Sequence, residues 1–135
     1  MSYPLTDIDG IDQEVAAVLK SVGIRSSGAL LEAARTARGR KGLAKKTGLG
    51  EQQLLRWVKM ADCMRVRGIS REYADLLQAA GVDTVKELKY RNPRNLVEAM
   101  AKANKLRKRV ELLPSEKVVV RWIDHARTLP HKITH

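Results

Sequence analysis

The stretch VRGISREYADLLQAAGVDTVKEL, residues 66–88, sets out the plan of this chain. It predicts a turn at Gly68, a short amphipathic helix that ends at Gly81, and a second helix that begins near Thr84. A near copy, IDGIDQEVAAVLKSVGIRSSGAL, occupies residues 8–30. Because self-similarity at a fixed offset identifies a structural unit, the two stretches predict a duplicated building block.

A second pair of anchors extends the repeat. Arg56-Trp57 in the first copy corresponds to Arg121-Trp122 in the second. The offset is larger here than at the turns, so we expect an insertion in the second copy at residues 103–114. The predicted units are residues 1–63 and residues 64–135. No Gly/Ser/Pro linker lies between them, and units of about 60 residues bury little surface alone. We therefore expect one compact body.

The periodicity of the apolar residues predicts helices and no strand, so the expected fold class is all-α. Ser70 is expected to cap the helix after the Gly68 turn, and Thr84 and Glu87 match a capping box. Residues 130–135 are expected to form a tail. The other expected helix starts follow Asp12, Ser26 or Ser27, Asn92-Pro93 and Pro114-Ser115.

Composition narrows the classes of partner. The chain of 135 residues carries a formal charge of +11. Such a charge favours nucleic acid, anionic lipid or an acidic protein surface, although a solvated basic face gives the same composition. The chain starts without the segments of a signal peptide and has no run of apolar residues long enough for a membrane helix. With Cys63 as the lone cysteine, we expect a cytoplasmic protein.

Catalytic motifs are missing from the sequence. It has no phosphate-binding loop ending in GK[ST], no nucleophile elbow and no metalloprotease signature. We therefore expect a non-enzymatic protein with no cofactor, no metal and no small-molecule substrate. Trp57 and Trp122 are expected to pack in the core, and Cys63 is expected to be buried.

Four short turns between helices share a small or polar centre: Gly10-Ile11-Asp12, Gly48-Leu49-Gly50, Gly68-Ile69-Ser70 and Leu113-Pro114-Ser115. The pattern Gly-hydrophobic-Gly between short helices resembles the helix-hairpin-helix motif. Nearly the whole chain resembles an uncharacterised bacterial family of duplicated helix-hairpin-helix units, related in fold to SAM-like helical domains.

The resemblance implies that turn amides meet a backbone phosphate, aided by the N-terminus of the next helix. Gly48-Leu49-Gly50 follows Lys45 and Lys46, and Gly68 is flanked by Arg67 and Arg71, so these turns suit an anion. The turn at Gly10 lies among acidic residues, and Pro114 removes a donor from the fourth turn. The alternative is that the glycines serve only to turn the backbone.

Two basic runs add to this hypothesis, one at residues 35–46 and one at residues 102–109. Together they could follow a phosphate backbone without reading bases. The rival hypothesis is a protein-interaction or self-assembly module that uses the acidic first turn. The predicted contacts to nucleic acid, with DNA preferred to RNA, are Lys45, Lys46, Gly48, Gly50, Arg67, Gly68, Arg71, Arg38, Arg40, Lys41, Arg107, Lys108 and Arg109.

Overall fold

Local capping chemistry decides where most helices begin. In the computed structural model, which describes residues 2–135, a short 3-10 helix at Leu5–Asp7 precedes eight α-helices, and no strand occurs in that range. The all-α prediction is confirmed. The helices are α1 (Gln13–Ser21), α2 (Ser27–Ala34), α3 (Ala37–Thr47), α4 (Glu51–Cys63), α5 (Arg71–Ala79), α6 (Val85–Leu88), α7 (Pro93–Leu106) and α8 (Glu116–Ala126).

Side-chain oxygens cap six of the eight helices. Asp12 accepts a hydrogen bond from the Val15 N–H at 2.9 Å at the start of α1. Ser26, Asn92 and Ser115 accept equivalent bonds at the starts of α2, α7 and α8. These contacts satisfy amides that have no partner inside the helix. Thr36 caps α3 and Thr84 caps α6.

Two expected caps differ from their predictions. Ser70 occupies the residue before α5, but its hydroxyl accepts no first-turn amide. In the predicted capping box, Thr84 accepts from the Glu87 N–H, yet the Glu87 carboxylate accepts from the N–H of Asp83 rather than from Thr84. The carboxylate therefore satisfies an amide one residue earlier than a capping box requires.

The two turns that open the repeats have the same geometry. At residues 8–11 and residues 66–69, the last N–H donates to the first carbonyl at 3.1 Å. Gly10 and Gly68 both have φ of +94°, a conformation that side chains other than glycine rarely adopt. A β-carbon built on Gly10 would lie 2.9 Å from Trp57 Nε1, and one built on Gly68 would lie 3.0 Å from Trp122 Nε1. Each tryptophan thus covers one face of its turn.

The core is mainly aliphatic and runs through both halves of the chain. Leu19, Leu54, Leu77 and Leu96 are fully buried, and the two tryptophans are almost fully buried. The predictions of buried Trp57, Trp122 and Cys63 are confirmed. In the first half α2 packs on α3 and α4, in the second half α7 packs on α5 and α8, and α4 packs on α5 between the halves.

A buried carboxylate connects α4 to the second half. Asp62 is only 1% exposed and accepts from the Val85 N–H at 2.9 Å, at the start of α6. It also accepts from Arg65 Nε at 2.9 Å and from Arg65 Nη2 at 2.6 Å. Arg65 in turn donates to the carbonyl of Pro130 at 2.8 Å. Both carboxylate oxygens of Asp62 therefore accept hydrogen bonds, which offsets the cost of burying the charge.

The segment at residues 130–135 is not a free tail, and the prediction of a tail there was wrong. Ile133 is 1% exposed within the core, and the Thr134 N–H donates to the Arg35 carbonyl at 2.8 Å. Lys132 forms an ion pair with Glu32 of α2. Apart from Ile133, residues 131–135 are polar, so no apolar pattern in the sequence indicated that the segment packs. It lies against α2 and α3, which are distant from it in the sequence.

Candidate nucleic-acid interface

Among the eight α-helices within residues 2–135, α4 and α5 are the two whose first-turn amides donate to no capping side chain. They follow the turns at residues 48–50 and residues 68–70. Each presents first-turn amides, which have no acceptor inside a helix, together with the positive end of the helix dipole. These are the two turns that the flanking charges mark as suited to an anion.

The amides of the first of these turns are used inside the chain. The Gly48 N–H donates to the Ala44 carbonyl at 2.8 Å, the Leu49 N–H to Thr47 Oγ1 at 3.2 Å, and the Gly50 N–H to Gln53 Oε1 at 3.1 Å. The donors that remain beside Gly48 and Gly50 are therefore those of the first turn of α4. Glu51 lies at this helix start and opposes an anion there.

The second turn is held by a histidine. The Arg67 N–H donates to His125 Nδ1 of α8 at 3.0 Å, while Trp122 covers Gly68. The Arg67 side chain is exposed and makes no ion pair within the described part of the chain. Gly68 is itself exposed on its outer face, so its turn stays accessible from solvent.

Helix α3 carries a basic face. Arg38, Lys41 and Lys45 are spaced by three and four residues and therefore lie on the same side of the helix. All three are exposed, and none makes an ion pair with any residue described by the structure. Lys46 is exposed beside them, near the start of α4. The helix contains no acidic residue, so this face keeps its full charge.

Arg40 lies on the opposite side of α3 and is buried, with only 5% of its surface exposed. Its guanidinium donates to the Ala34 carbonyl at 3.0 Å and to the Thr134 carbonyl at 2.8 Å. Burial lowers the pKa of this guanidinium, and Glu51 opposes the shift. Arg40 is placed to hold the C-terminal segment and is not available to a surface ligand.

Arg71 is exposed, but its guanidinium contacts two residues of the first half. Its Nη2 lies 3.2 Å from Asp9 Oδ1, and its Nη1 donates to the Thr6 carbonyl at 3.4 Å. The other oxygen of Asp9 lies 3.3 Å from Arg56 Nη2. Asp9 therefore joins two arginines, one from each half of the chain.

Two of the five cations in the second basic run, Lys108 and Arg109, are paired within the chain. Arg109 Nε lies 3.1 Å from Asp75 Oδ2, and the Arg109 side chain is only 17% exposed. Lys108 lies 2.8 Å from Glu111, although both side chains are exposed. Arg107 is exposed without an ion pair among the described residues. This run lies at the end of α7, which packs on α5 and α8, whereas α3 packs on α2 and α4.

Residues 9–129 match the family described as a domain of unknown function, DUF4332. The chain belongs to the DUF4332 family. No curated protein and no solved structure matches it. None of the helices of this DUF4332 chain within residues 2–135 has the length and apolar character that crossing a membrane requires. In the same range, no group of three or more His, Cys, Asp or Glu side chains is placed to hold a metal ion.

Two residues of this DUF4332 chain that were not among the predicted contacts adjoin the Gly68 turn. Nδ1 of His125 accepts a hydrogen bond from the N–H of Arg67. Arg121 lines the same concavity as Arg67 and Gly68. The sequence feature that could have indicated Arg121 was its place in the repeat, where it corresponds to Arg56.

Proposed function

We propose that this chain is a non-enzymatic module that binds the phosphate backbone of nucleic acid, with DNA preferred to RNA. One observation carries the proposal. Of eight helix starts, the two that lack a side-chain cap follow the two turns flanked by lysines and arginines. A phosphate oxygen is the acceptor that an uncapped, positively flanked helix start favours.

The charges around these starts support the same proposal. Lys45 and Lys46 precede the start of α4, and Arg67 adjoins the turn before α5. The α3 face of Arg38, Lys41 and Lys45 extends this charge along one side of a helix. Because unpaired cations release counterions when they meet phosphates, exposed and unpaired side chains contribute most to binding.

In this proposal the two halves are helix-hairpin-helix units, and each contributes one turn to the contact. The first-turn amides of α4 and α5 take the place that glycine amides have in the motif. Backbone amides at these turns contact phosphates and do not read base edges. We therefore expect binding that does not depend on the base sequence. The same mode predicts strong sensitivity to salt.

Fluorescence anisotropy with labelled oligonucleotides tests the proposal. The full chain is titrated into duplex and single-stranded probes at several salt concentrations. The double variant Lys41→Gln/Lys45→Gln removes two charges from the α3 face with little change in helix propensity. We expect it to bind duplex DNA more weakly and to lower the log–log salt slope by about 1.8, since each phosphate contact contributes about 0.9.

The matched control is Lys20→Gln/Lys86→Gln, which removes two exposed and unpaired lysines from α1 and α6. We expect its salt slope to equal that of the parent chain. An equal loss in both double variants would mean diffuse attraction with no defined surface. Absence of binding at about 50 mM salt would overturn the proposal, because phosphate contacts are strongest there.

A second candidate function is self-association, and a set of exposed apolar side chains favours it. Leu106 is 84% exposed and Leu112 is 77% exposed, both in or beside the loop between α7 and α8. Contiguous exposed apolar patches mark interfaces, and in this candidate function the two leucines belong to one such patch. Light scattering at increasing concentration tests this function, with Leu106→Ser/Leu112→Ser as the variant that should keep the chain monomeric.

A further inference from the structure

The acidic residue in the first repeat turn is replaced by a basic one in the second. In the first half, Arg56 and Trp57 of α4 lie against the turn, and Arg56 forms an ion pair with Asp9 at 3.3 Å. In the second half, Trp122 covers the turn as Trp57 does. Asp9 and Arg56 therefore correspond to Arg67 and Arg121. Two guanidinium groups occupy the places of one carboxylate and one guanidinium.

The guanidinium groups of Arg67 and Arg121 have no partner within residues 2–135. Arg67 and Arg121 are both exposed, and neither side chain makes an ion pair or a hydrogen bond in that range. Both line a concavity of about 450 Å³. The remaining lining residues are Gly68, Val118, Trp122 and His125, so no carboxylate lines this space.

His125 supplies a further polar group to the concavity. Its Nδ1 accepts the Arg67 N–H at 3.0 Å, so Nδ1 carries no proton. In the neutral ring the proton then lies on Nε2, which is a donor. The same hydrogen bond fixes the turn against α8 and holds Arg67 beside the helix that carries Arg121.

We propose that this concavity binds a single phosphate group between Arg67 and Arg121. In the first half, Asp9 places a negative charge beside Arg56. In the second half, no residue that lines the concavity supplies such a charge. A carboxylate would balance one of the two guanidinium charges, whereas a phosphate dianion balances both and accepts hydrogen bonds on several oxygens. The proposal does not require nucleic acid, because a phosphomonoester is a dianion with three terminal oxygens, whereas a backbone phosphodiester offers only two such oxygens and a single charge.

NMR of the full, ¹⁵N-labelled chain tests this site. Inorganic phosphate, thymidine 5′-monophosphate and a short DNA duplex are titrated separately at constant ionic strength, with chloride as the reference anion. We expect saturable shifts at the Trp122 indole N–H and at the Arg67 and Gly68 amides. The Trp57 indole is an internal control and should not move. The arm with the strongest effect identifies the source of the phosphate.

Three variants decide whether the arginines are responsible. Arg121→Gln should weaken phosphate binding about tenfold, as expected for the loss of one charge-assisted contact. Arg67→Asp rebuilds the ion pair of the first half and should abolish binding while the urea midpoint stays at or above that of the parent. Arg127→Gln changes an exposed arginine that directly follows α8 and does not line the concavity. It should have no effect on phosphate binding.

The site and the proposed function fail in different ways. Absence of a saturable shift at Trp122 with all three probes would overturn the site, as would shifts that saturate at the same ligand concentration in Arg121→Gln and in the parent. If inorganic phosphate and the nucleotide cause no saturable shift while the duplex binds Arg121→Gln with the affinity of the parent, the phosphate site is wrong and the backbone-binding function is untouched. Equal shifts at Trp57 and Trp122 would show general anion attraction and would also overturn the site.

Discussion

Trp122 lies so close to Gly68 that a β-carbon on the glycine would force the indole to shift. A β-carbon on Gly68 would come within 3.0 Å of Trp122 Nε1. The indole also packs on Tyr73, with ring centroids 5.3 Å apart, so it has little freedom to move away. The turn, the indole and α5 therefore form one packed unit, and the glycine is needed both for its φ and for its lack of a side chain.

Gly68→Ala should lower the free energy of unfolding by about 2–3 kcal/mol, since it combines an unfavourable positive φ with displacement of the indole. Gly81→Ala is the matched control. Gly81 has φ of +93°, but a β-carbon there would meet nothing within 4 Å. We expect it to cost about 1 kcal/mol. Urea denaturation measures both. Equal costs would show that the contact with Trp122 contributes nothing.

Two glycines of α3 should respond in opposite directions to the same substitution. A β-carbon on Gly42 would meet nothing within 4 Å, so Gly42→Ala should stabilise the chain by about 1 kcal/mol through helix propensity. A β-carbon on Gly39 would lie 2.4 Å from the Ala33 carbonyl oxygen. Gly39→Ala should therefore destabilise the chain. Thermal unfolding followed by circular dichroism checks the sign of each change, and a shared sign would contradict the prediction.

Asp62→Ala should cost about 3–5 kcal/mol. The substitution removes the acceptor of the Val85 N–H and leaves the Arg65 guanidinium buried without its carboxylate. The control is Asp124→Ala, which breaks an exposed ion pair with Arg127 at 3.4 Å. That loss should be below about 1 kcal/mol. Urea unfolding compares the two, and similar costs would mean that Asp62 does not hold the halves together.

Burial raises the pKa of the Cys63 thiol well above its ordinary value of 9.0. The folded chain therefore keeps this thiol protonated at a pH where the unfolded chain ionises it. The resulting stability is fully present below pH 9 and is lost as the pH rises toward the folded pKa. By pH 10 the loss should reach about 1.4 kcal/mol, the equivalent of one pKa unit.

Comparison with Cys63→Ala isolates this effect from other groups that titrate at high pH. The free energy of unfolding is measured for both chains at pH 7.5 and at pH 10. The difference between the two chains should shrink by about 1.4 kcal/mol at the higher pH. A difference that is independent of pH would mean that the thiol ionises in the folded chain. The folded thiol should also react slowly with Ellman's reagent at pH 8.

Features that depend on neighbours along the chain were predictable. The caps at Asp12, Ser26 and Ser115 follow from a side chain and an amide three residues apart, so the sequence contains both partners. The stops at Gly23 and Gly81 are predictable for the same reason, because each glycine ends its helix in a left-handed conformation.

Features that depend on distant partners were not predictable. Arg40 is a basic residue like its exposed neighbours Arg38 and Lys41, but it is buried and donates to the carbonyl of Thr134, 94 residues away. Arg109 belongs to a basic run, yet Asp75 pairs with it across the fold. The contact of His125 with the Arg67 amide also spans 58 residues, and no local pattern indicates it.

The packing of residues 132–134 against α2 and α3 bears on how the molecule folds during its synthesis. Arg40 and Thr134 are synthesised far apart in time, yet the guanidinium of the first donates to the carbonyl of the second. During translation the packing around α2 and α3 therefore stays incomplete until residues 132–134 have left the ribosome. The nascent chain should consequently stay protease-sensitive until then, even though its first helices are already coiled.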